Sequence, residues 1–70
     1  MNKIYATMAG NVWKVLVKEG DAVEVGQDVV ILESMKMEIP IAAEVSGQVV
    51  RVLAREGEFV NEGDLLAEVE

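Results

Sequence analysis

The segment with the most distinctive chemistry in this sequence is a lysine between two methionines, Met35-Lys36-Met37. Apolar, strand-forming residues lie on both sides of it, so the chain is expected to reverse direction there. Tight reversals between strands favour Asn-Gly or Asp-Gly, because the turn residues must accept positive φ. A Met-Lys turn costs roughly 1–3 kcal/mol per strained residue, and such strain concentrates at functional sites. Two flexible thioethers around an exposed amine indicate a contact surface.

Few other side chains could do chemistry. The chain has no histidine and no cysteine, and four residues carry its hydroxyl groups: Tyr5, Thr7, Ser34 and Ser46. The commonest general base and the ligands of most transition-metal sites are therefore missing. Carboxylates remain, but a chain of 70 residues leaves little room for a cleft around them. We expect no catalytic residue and no metal site.

The charge of the chain excludes two classes of partner. Thirteen acidic residues against six basic ones give a net charge of −7, which repels nucleic acid and anionic membranes. The longest apolar runs, such as residues 29–32, are far shorter than a membrane span. Residues 1–5 lack the apolar region of a secretory signal. We expect a monomeric cytoplasmic protein that binds neither nucleic acid nor membrane.

The sequence repeats itself at an offset of 37 residues. Identities at this offset include Gly10 with Gly47, Val12 with Val49, Val15-Leu16 with Val52-Leu53, Glu19-Gly20 with Glu56-Gly57, Val23 with Val60, Gly26 with Gly63 and Glu33 with Glu70. Two copies of one structural unit, related by an approximate twofold axis, are the natural interpretation. Val15 and Val52 are then expected to occupy equivalent inward positions.

Each unit has the pattern of β-strands. In the first unit apolar residues alternate with basic ones: Trp13, Val15 and Val17 with Lys14 and Lys18. Glycine-containing turn signals follow at short intervals, and no segment shows sustained helical spacing. We expect residues 1–70 to form a single domain of two antiparallel sheets facing each other across a core of Val, Ile and Leu.

The repeat also predicts where the Met-Lys turn lies. Glu33 corresponds to Glu70, so the twofold axis relates the turn to the region where the chain termini meet. The turn is therefore expected at the far end from Met1 and Glu70. A group held on Lys36 would point away from both termini.

The segment 33–37, Glu-Ser-Met-Lys-Met, resembles the Glu-Ala-Met-Lys-Met signature of the biotinyl domains of biotin-dependent carboxylases. The likeness covers nearly the whole chain, because segments 17–26 and 56–63 resemble the turns of that family. Met8-Ala9-Gly10-Asn11 and the Met-Glu-Ile-Pro that follows the lysine are similar to the short, stand-alone biotin/lipoyl attachment proteins of bacilli.

This resemblance implies an all-β fold, a flattened eight-stranded barrel made of two four-stranded antiparallel sheets, with Lys36 on a hairpin tip. It implies a carrier that is not itself an enzyme. A biotin protein ligase would join biotin to Lys36, and the loaded arm would visit a biotin carboxylase and a carboxyltransferase. Residues around the lysine would serve recognition by the ligase and the partner enzymes: Glu33, Ser34, Met35, Met37 and Glu38.

Three alternatives stay open at this point. Ser34 is a residue typical of the lipoyl-domain motif, so Lys36 could take lipoate from a lipoyl ligase, either instead of biotin or in addition to it. Met35 and Met37 oppose this alternative, because both resemble the motif of biotinyl domains. A structural or interaction module would leave Lys36 unmodified, as surface lysines usually are. A small hydrolase that uses carboxylates is opposed by the absence of histidine.

Overall fold

The computed structural model describes residues 2–70 and consists of eight short β-strands in two sheets. The strands are β1 (Asn2–Tyr5), β2 (Gly10–Val15), β3 (Ala22–Val23), β4 (Asp28–Ser34), β5 (Met37–Ala42), β6 (Gly47–Val52), β7 (Phe59–Val60) and β8 (Leu65–Val69). One sheet has the order β1-β8-β6-β3 and the other β5-β4-β2-β7, with all pairs antiparallel. The expected fold class is confirmed. No helix among these residues is long and apolar enough to cross a membrane.

The two sheets are copies of each other under the sequence repeat. Shifting β2, β3 and β4 by 37 residues gives β6, β7 and β8, and each sheet order becomes the other. The irregularities repeat as well: the register shift between Val12 and Lys14 recurs between Val49 and Arg51. The pseudo-twofold architecture predicted from the repeat is therefore confirmed down to its β-bulges.

The core obeys the same symmetry. All sixteen buried apolar residues of the described chain fall into pairs at the 37-residue offset. The pairs are Ile4 with Ile41, Ala6 with Ala43, Val12 with Val49, Val17 with Ala54, Val23 with Val60, Val29 with Leu66, Val30 with Ala67, and Leu32 with Val69. Each half therefore contributes eight residues to a single shared core, and both sheets contain strands of both halves.

Turns from each half close onto strands of the other half. Gly20 donates its N–H to the carbonyl of Val49 at 2.8 Å, and Gly57 donates to Val12 at 2.8 Å. Both glycines have φ near +90°, which the third position of a type II turn requires and which L side chains rarely adopt. The halves thus interlock, because each turn hydrogen-bonds to the central strand of the other unit.

Trp13 departs from the expected alternation. The β-bulge places both Trp13 and Lys14 on the outer side of β2, with the Lys14 ammonium 5.7 Å from the centre of the indole ring. Trp13 is 41% exposed, and the inner position is taken by the buried Val12. The simple alternation of Trp13 and Val15 with Lys14 therefore does not hold through the bulge. Val15 and Val52 do pack against the core, but both are only half-buried.

The β4–β5 turn and Glu70 lie at opposite ends of the molecule. β1 and β8 are antiparallel, so Asn2 lies beside Val69 and Tyr5 lies beside Leu65 at the start of β8. The connector after β1 leads to Gly10, which lies against Glu33 at the turn end of β4. The turn is therefore next to the start of β8, whereas Glu70 follows the end of that strand, as the repeat predicted. Met1 lies outside the described residues.

Truncation of the symmetric core pair tests the shared core. We expect Val12→Ala and Val49→Ala each to lower the free energy of unfolding by about 1–3 kcal/mol, because each removes fully buried methyl groups from equivalent sites. Urea denaturation followed by circular dichroism measures both. Val15→Ala and Val52→Ala, at the half-buried pair, serve as controls and should cost less. A large loss at Val12 with none at Val49 would contradict the symmetric core.

Candidate functional site

The reversal between β4 and β5 is a hairpin with a two-residue loop. Ser34 pairs with Met37, which leaves Met35 and Lys36 as the loop. Both loop residues have positive φ, 52° for Met35 and 64° for Lys36, the combination that defines a type I′ turn. They are the only non-glycine residues with positive φ in the described chain. The turn therefore adopts the favoured hairpin geometry with two residue types that disfavour it.

The strands behind the turn hold it in place. β4 is a central strand of its sheet, paired to β2 on one side and to β5 on the other. Three of its residues, Val29, Val30 and Leu32, have no exposed surface. The β4–β5 register is regular from Val30 to Ser34. The loop is thus a short, strained cap on one of the most firmly anchored strands of the fold.

The side chains of the loop project into solvent. Met35 is 91% exposed and Met37 is 64% exposed, and Lys36 is exposed between them. Within residues 2–70 the single ion pair joins Arg51 to Glu68, so no carboxylate holds the Lys36 ammonium. The amine is consequently available to another molecule without breaking an internal contact.

Two carboxylates lie directly behind the loop. Glu33 and Glu38 are opposite each other in the register of β4 and β5, and both are exposed. Like charges at directly opposed positions of an antiparallel pair destabilise it. The pair therefore gives the tip a local negative charge. This charge does not stabilise the hairpin.

Gly10 is a residue that the sequence prediction did not include in the site. A β-carbon there would lie 2.9 Å from the carbonyl oxygen of Glu33 and 3.4 Å from the β-carbon of Ser34. The missing side chain lets β2 approach the base of the hairpin closely. The signal was present in the repeat, because Gly47 lies against Glu70 in the same way.

All six predicted site residues lie together on the hairpin, in the order Glu33, Ser34, Met35, Lys36, Met37 and Glu38. Ser34 is half-buried and the others are exposed. A cavity of about 450 Å³ lies between β1 and β5, near Tyr5 and Ala42, and none of the hairpin residues 33–38 lines it. The amine of Lys36 is therefore presented on the exposed tip and not in this cavity.

Comparison with known proteins gives consistent matches over nearly the whole chain. The family model described as "Biotin-requiring enzyme" matches residues 2–69. The Biotin/lipoyl attachment protein of Bacillus subtilis is 66% identical over 62 residues, which cover 89% of this chain and 85% of that protein. The human mitochondrial propionyl-CoA carboxylase alpha chain is 46% identical over 63 residues, covering 90% of this chain and 9% of that protein. The crystal structure of Kluyveromyces lactis urea carboxylase superimposes with a TM-score of 0.91 at 38% identity, covering 99% of this chain and 6% of that one.

Replacement of Met35 by asparagine tests the strain in the turn. We expect Met35→Asn to raise the free energy of unfolding by about 1 kcal/mol, because asparagine tolerates positive φ and the exposed thioether contributes little packing. Urea denaturation measures the change. Met37→Asn is the matched control, since Met37 has no positive φ and its replacement should bring no gain. An unchanged or lower stability of Met35→Asn would contradict a strained loop.

Proposed function

Because the chain belongs to the biotin/lipoyl attachment family, we propose that it carries biotin in amide linkage on Lys36 and acts as a carboxyl carrier. It is a biotin carrier domain, homologous to the carboxyl carrier domains of carboxylases. The observation that carries the assignment of Lys36 is its place in the loop of a type I′ hairpin, exposed between two exposed methionines.

The residues of the tip fit this group. Biotin offers a carboxylate, and an amide bond to it needs an exposed primary amine on a chain that does not cover it. A biotin protein ligase would supply the biotin carboxylate as a mixed anhydride with AMP. The neutral Lys36 Nζ would attack that carbonyl carbon and form the C–N bond, while AMP would leave with the electrons of the broken C–O bond and the amine proton would pass to solvent. When attached, the group accepts and donates a carboxyl group in the active sites of partner enzymes.

The partners of the loaded carrier are proposed to be a biotin carboxylase and a carboxyltransferase. The support is homology to domains of carboxylases, of which the matched region is only a small part, 9% of the human propionyl-CoA carboxylase chain and 6% of the Kluyveromyces lactis urea carboxylase chain. A tethered arm meets each active site at an effective concentration of about the mM range when the length of the arm matches the distance between the sites. This chain contributes rigidity and presentation, and no catalytic group.

We further propose that residues 1–70 act as one carrier domain, monomeric and in the cytoplasm. The net charge of −7 supports a monomer, because identical acidic surfaces repel each other. The same charge supports partners with basic surfaces rather than nucleic acid.

A lipoyl carrier is the second candidate, and a specific residue favours it. Ser34 pairs with Met37 at the base of the loop. A serine at this position resembles the motif of lipoyl domains. Met35 and Met37, which flank the lysine, are of the biotin type. A carrier that takes biotin efficiently and lipoate weakly accounts for the mixed signature.

Replacement of the tip lysine tests the attachment site. Lys36→Arg is expected to abolish biotin incorporation by a biotin protein ligase, because the guanidinium is not acylated. Its circular dichroism and melting temperature should stay nearly unchanged, since the side chain lies outside the core. Intact-mass spectrometry after incubation with ligase, biotin and ATP measures incorporation. Lys3→Arg, on the opposite sheet, is the control and should be modified like the wild type. Incorporation into the Lys36→Arg chain would place the site elsewhere.

The two methionines can be tested by converting the tip to the lipoyl type. We expect Met35→Asp with Met37→Ala to depress biotinylation of Lys36 strongly and to leave lipoylation unchanged or increased. A single introduced charge can act as the repulsive element against the wrong ligase. The measurement is intact mass for wild type and variant against a biotin ligase and a lipoyl ligase under matched conditions. Equal biotinylation of both proteins would mean that neither methionine is recognised.

A further inference from the structure

The outer side of the sheet that bears Lys36 carries large apolar side chains among polar ones, with Lys14 beside Trp13 and Ile31. Four outward-facing residues of its strands define what we call the apolar outer face: Trp13, Ile31, Pro40 and Phe59. Phe59 is 60% exposed, and the next residue of β7, Val60, faces the core. Exposed apolar side chains gathered on one surface of an otherwise charged protein mark an interaction site.

The pseudo-twofold axis supplies an internal reference for this surface. The positions equivalent to Trp13, Ile31, Pro40 and Phe59 on the other sheet are Val50, Glu68, Lys3 and Ala22, in that order. Lys3 and Arg51 flank Glu68 in the register, and Arg51 pairs with Glu68 at 3.5 Å. The same backbone thus carries Glu68 and Lys3 on one sheet where the other has Ile31 and Pro40, and smaller apolar residues where the other has Trp13 and Phe59. Arg51 and Lys14 keep a basic residue at the same place on both sheets. The fold does not require the apolar outer face.

This face is continuous with the tip. Glu38, Glu33, Asn11 and Phe59 form one row of directly paired residues across β5, β4, β2 and β7. The row lies immediately behind the loop, and its four members are all exposed. A molecule that meets Lys36 from this side contacts the acidic pair first and the aromatic residues next.

We propose that the apolar outer face docks the biotin protein ligase, with Phe59 and Trp13 as its central contacts. This inference rests on the proposed function of Lys36. An enzyme that holds an acyl-adenylate must present positive charge around the phosphate, and Glu33 and Glu38 complement that charge beside the lysine. Aromatic side chains at the centre of an interface carry most of its binding energy.

The face also explains how one lysine is selected. The chain has four lysines, and all four are exposed: Lys3, Lys14, Lys18 and Lys36. Exposure alone does not distinguish them. Docking on the apolar outer face places the loop at the edge of the bound ligase, whereas Lys3 lies on the opposite sheet. Lys14 lies on the face itself, 5.7 Å from the Trp13 ring, so the docked ligase covers it and does not reach past it as it reaches the loop.

The repeat supplies variants that the backbone already accommodates. Trp13→Val with Phe59→Ala installs the residues found at the equivalent positions, Val50 and Ala22. We expect the double variant to lose about tenfold or more in kcat/KM for biotinylation, chiefly through KM, and to bind the ligase correspondingly more weakly. Binding is measured by surface plasmon resonance with chains that also carry Lys36→Arg, so this readout needs no modification. Val50→Ala on the opposite face is the control and should stay within about twofold of wild type.

The outcomes separate the alternatives. Circular dichroism checks that the variants fold, and Ile31→Glu, which copies Glu68, provides an independent test if the double variant does not. Unchanged kcat/KM and binding in folded variants would overturn the docking surface while leaving the attachment site intact. A wild-type dimer in sedimentation that the double variant lost would assign the face to a second copy instead. A wild type that gained no mass at Lys36 would overturn the proposed function itself, and this inference with it.

Discussion

The exchange of backbone hydrogen bonds between the two half-repeats is the interaction on which the rest of the structure depends. β3 and β7 are two residues long, too short to form a sheet within their own unit, and each pairs with a strand of the other unit. The turns before them, at Gly20 and Gly57, donate to Val49 and Val12. Neither half can therefore close its sheet alone. A chain of this size gains a sufficient core only when both halves pack together.

The proposed attachment site lies where the symmetry is broken. The β4–β5 hairpin of one sheet corresponds to the β8–β1 pair of the other, whose strands are not consecutive in the chain. The β4–β5 turn holds Met35 and Lys36 in a conformation that methionine and lysine disfavour. The outer surfaces of the two sheets also differ, since Ile31 of one sheet occupies the position equivalent to Glu68 of the other. Both asymmetries lie on the sheet that bears the lysine.

Most of the fold could be predicted from the repeat, because it supplies long-range information that local propensities lack. The paired strands, the glycine turns and the distance of the tip from Glu70 all follow from the 37-residue offset. The side of the sheet that Trp13 faces could not be predicted from alternation, since a β-bulge interrupts the regular alternation of inward and outward side chains within β2. The apolar outer face was hidden for a related reason. Ile31 lies in a continuous apolar run, which is typical of a strand buried on both sides.

The strained turn explains why the hairpin needs β4 at its base. Positive φ at Met35 and Lys36 costs about 1–3 kcal/mol per residue, and nothing in the exposed loop offsets it. Full burial of Val29, Val30 and Leu32 stabilises the strand by about 1.5–3 kcal/mol per side chain. The geometry of the tip is therefore maintained by packing several residues away. Cavities made in β4 are therefore expected to destabilise the domain and the hairpin together, because the same packing supports both.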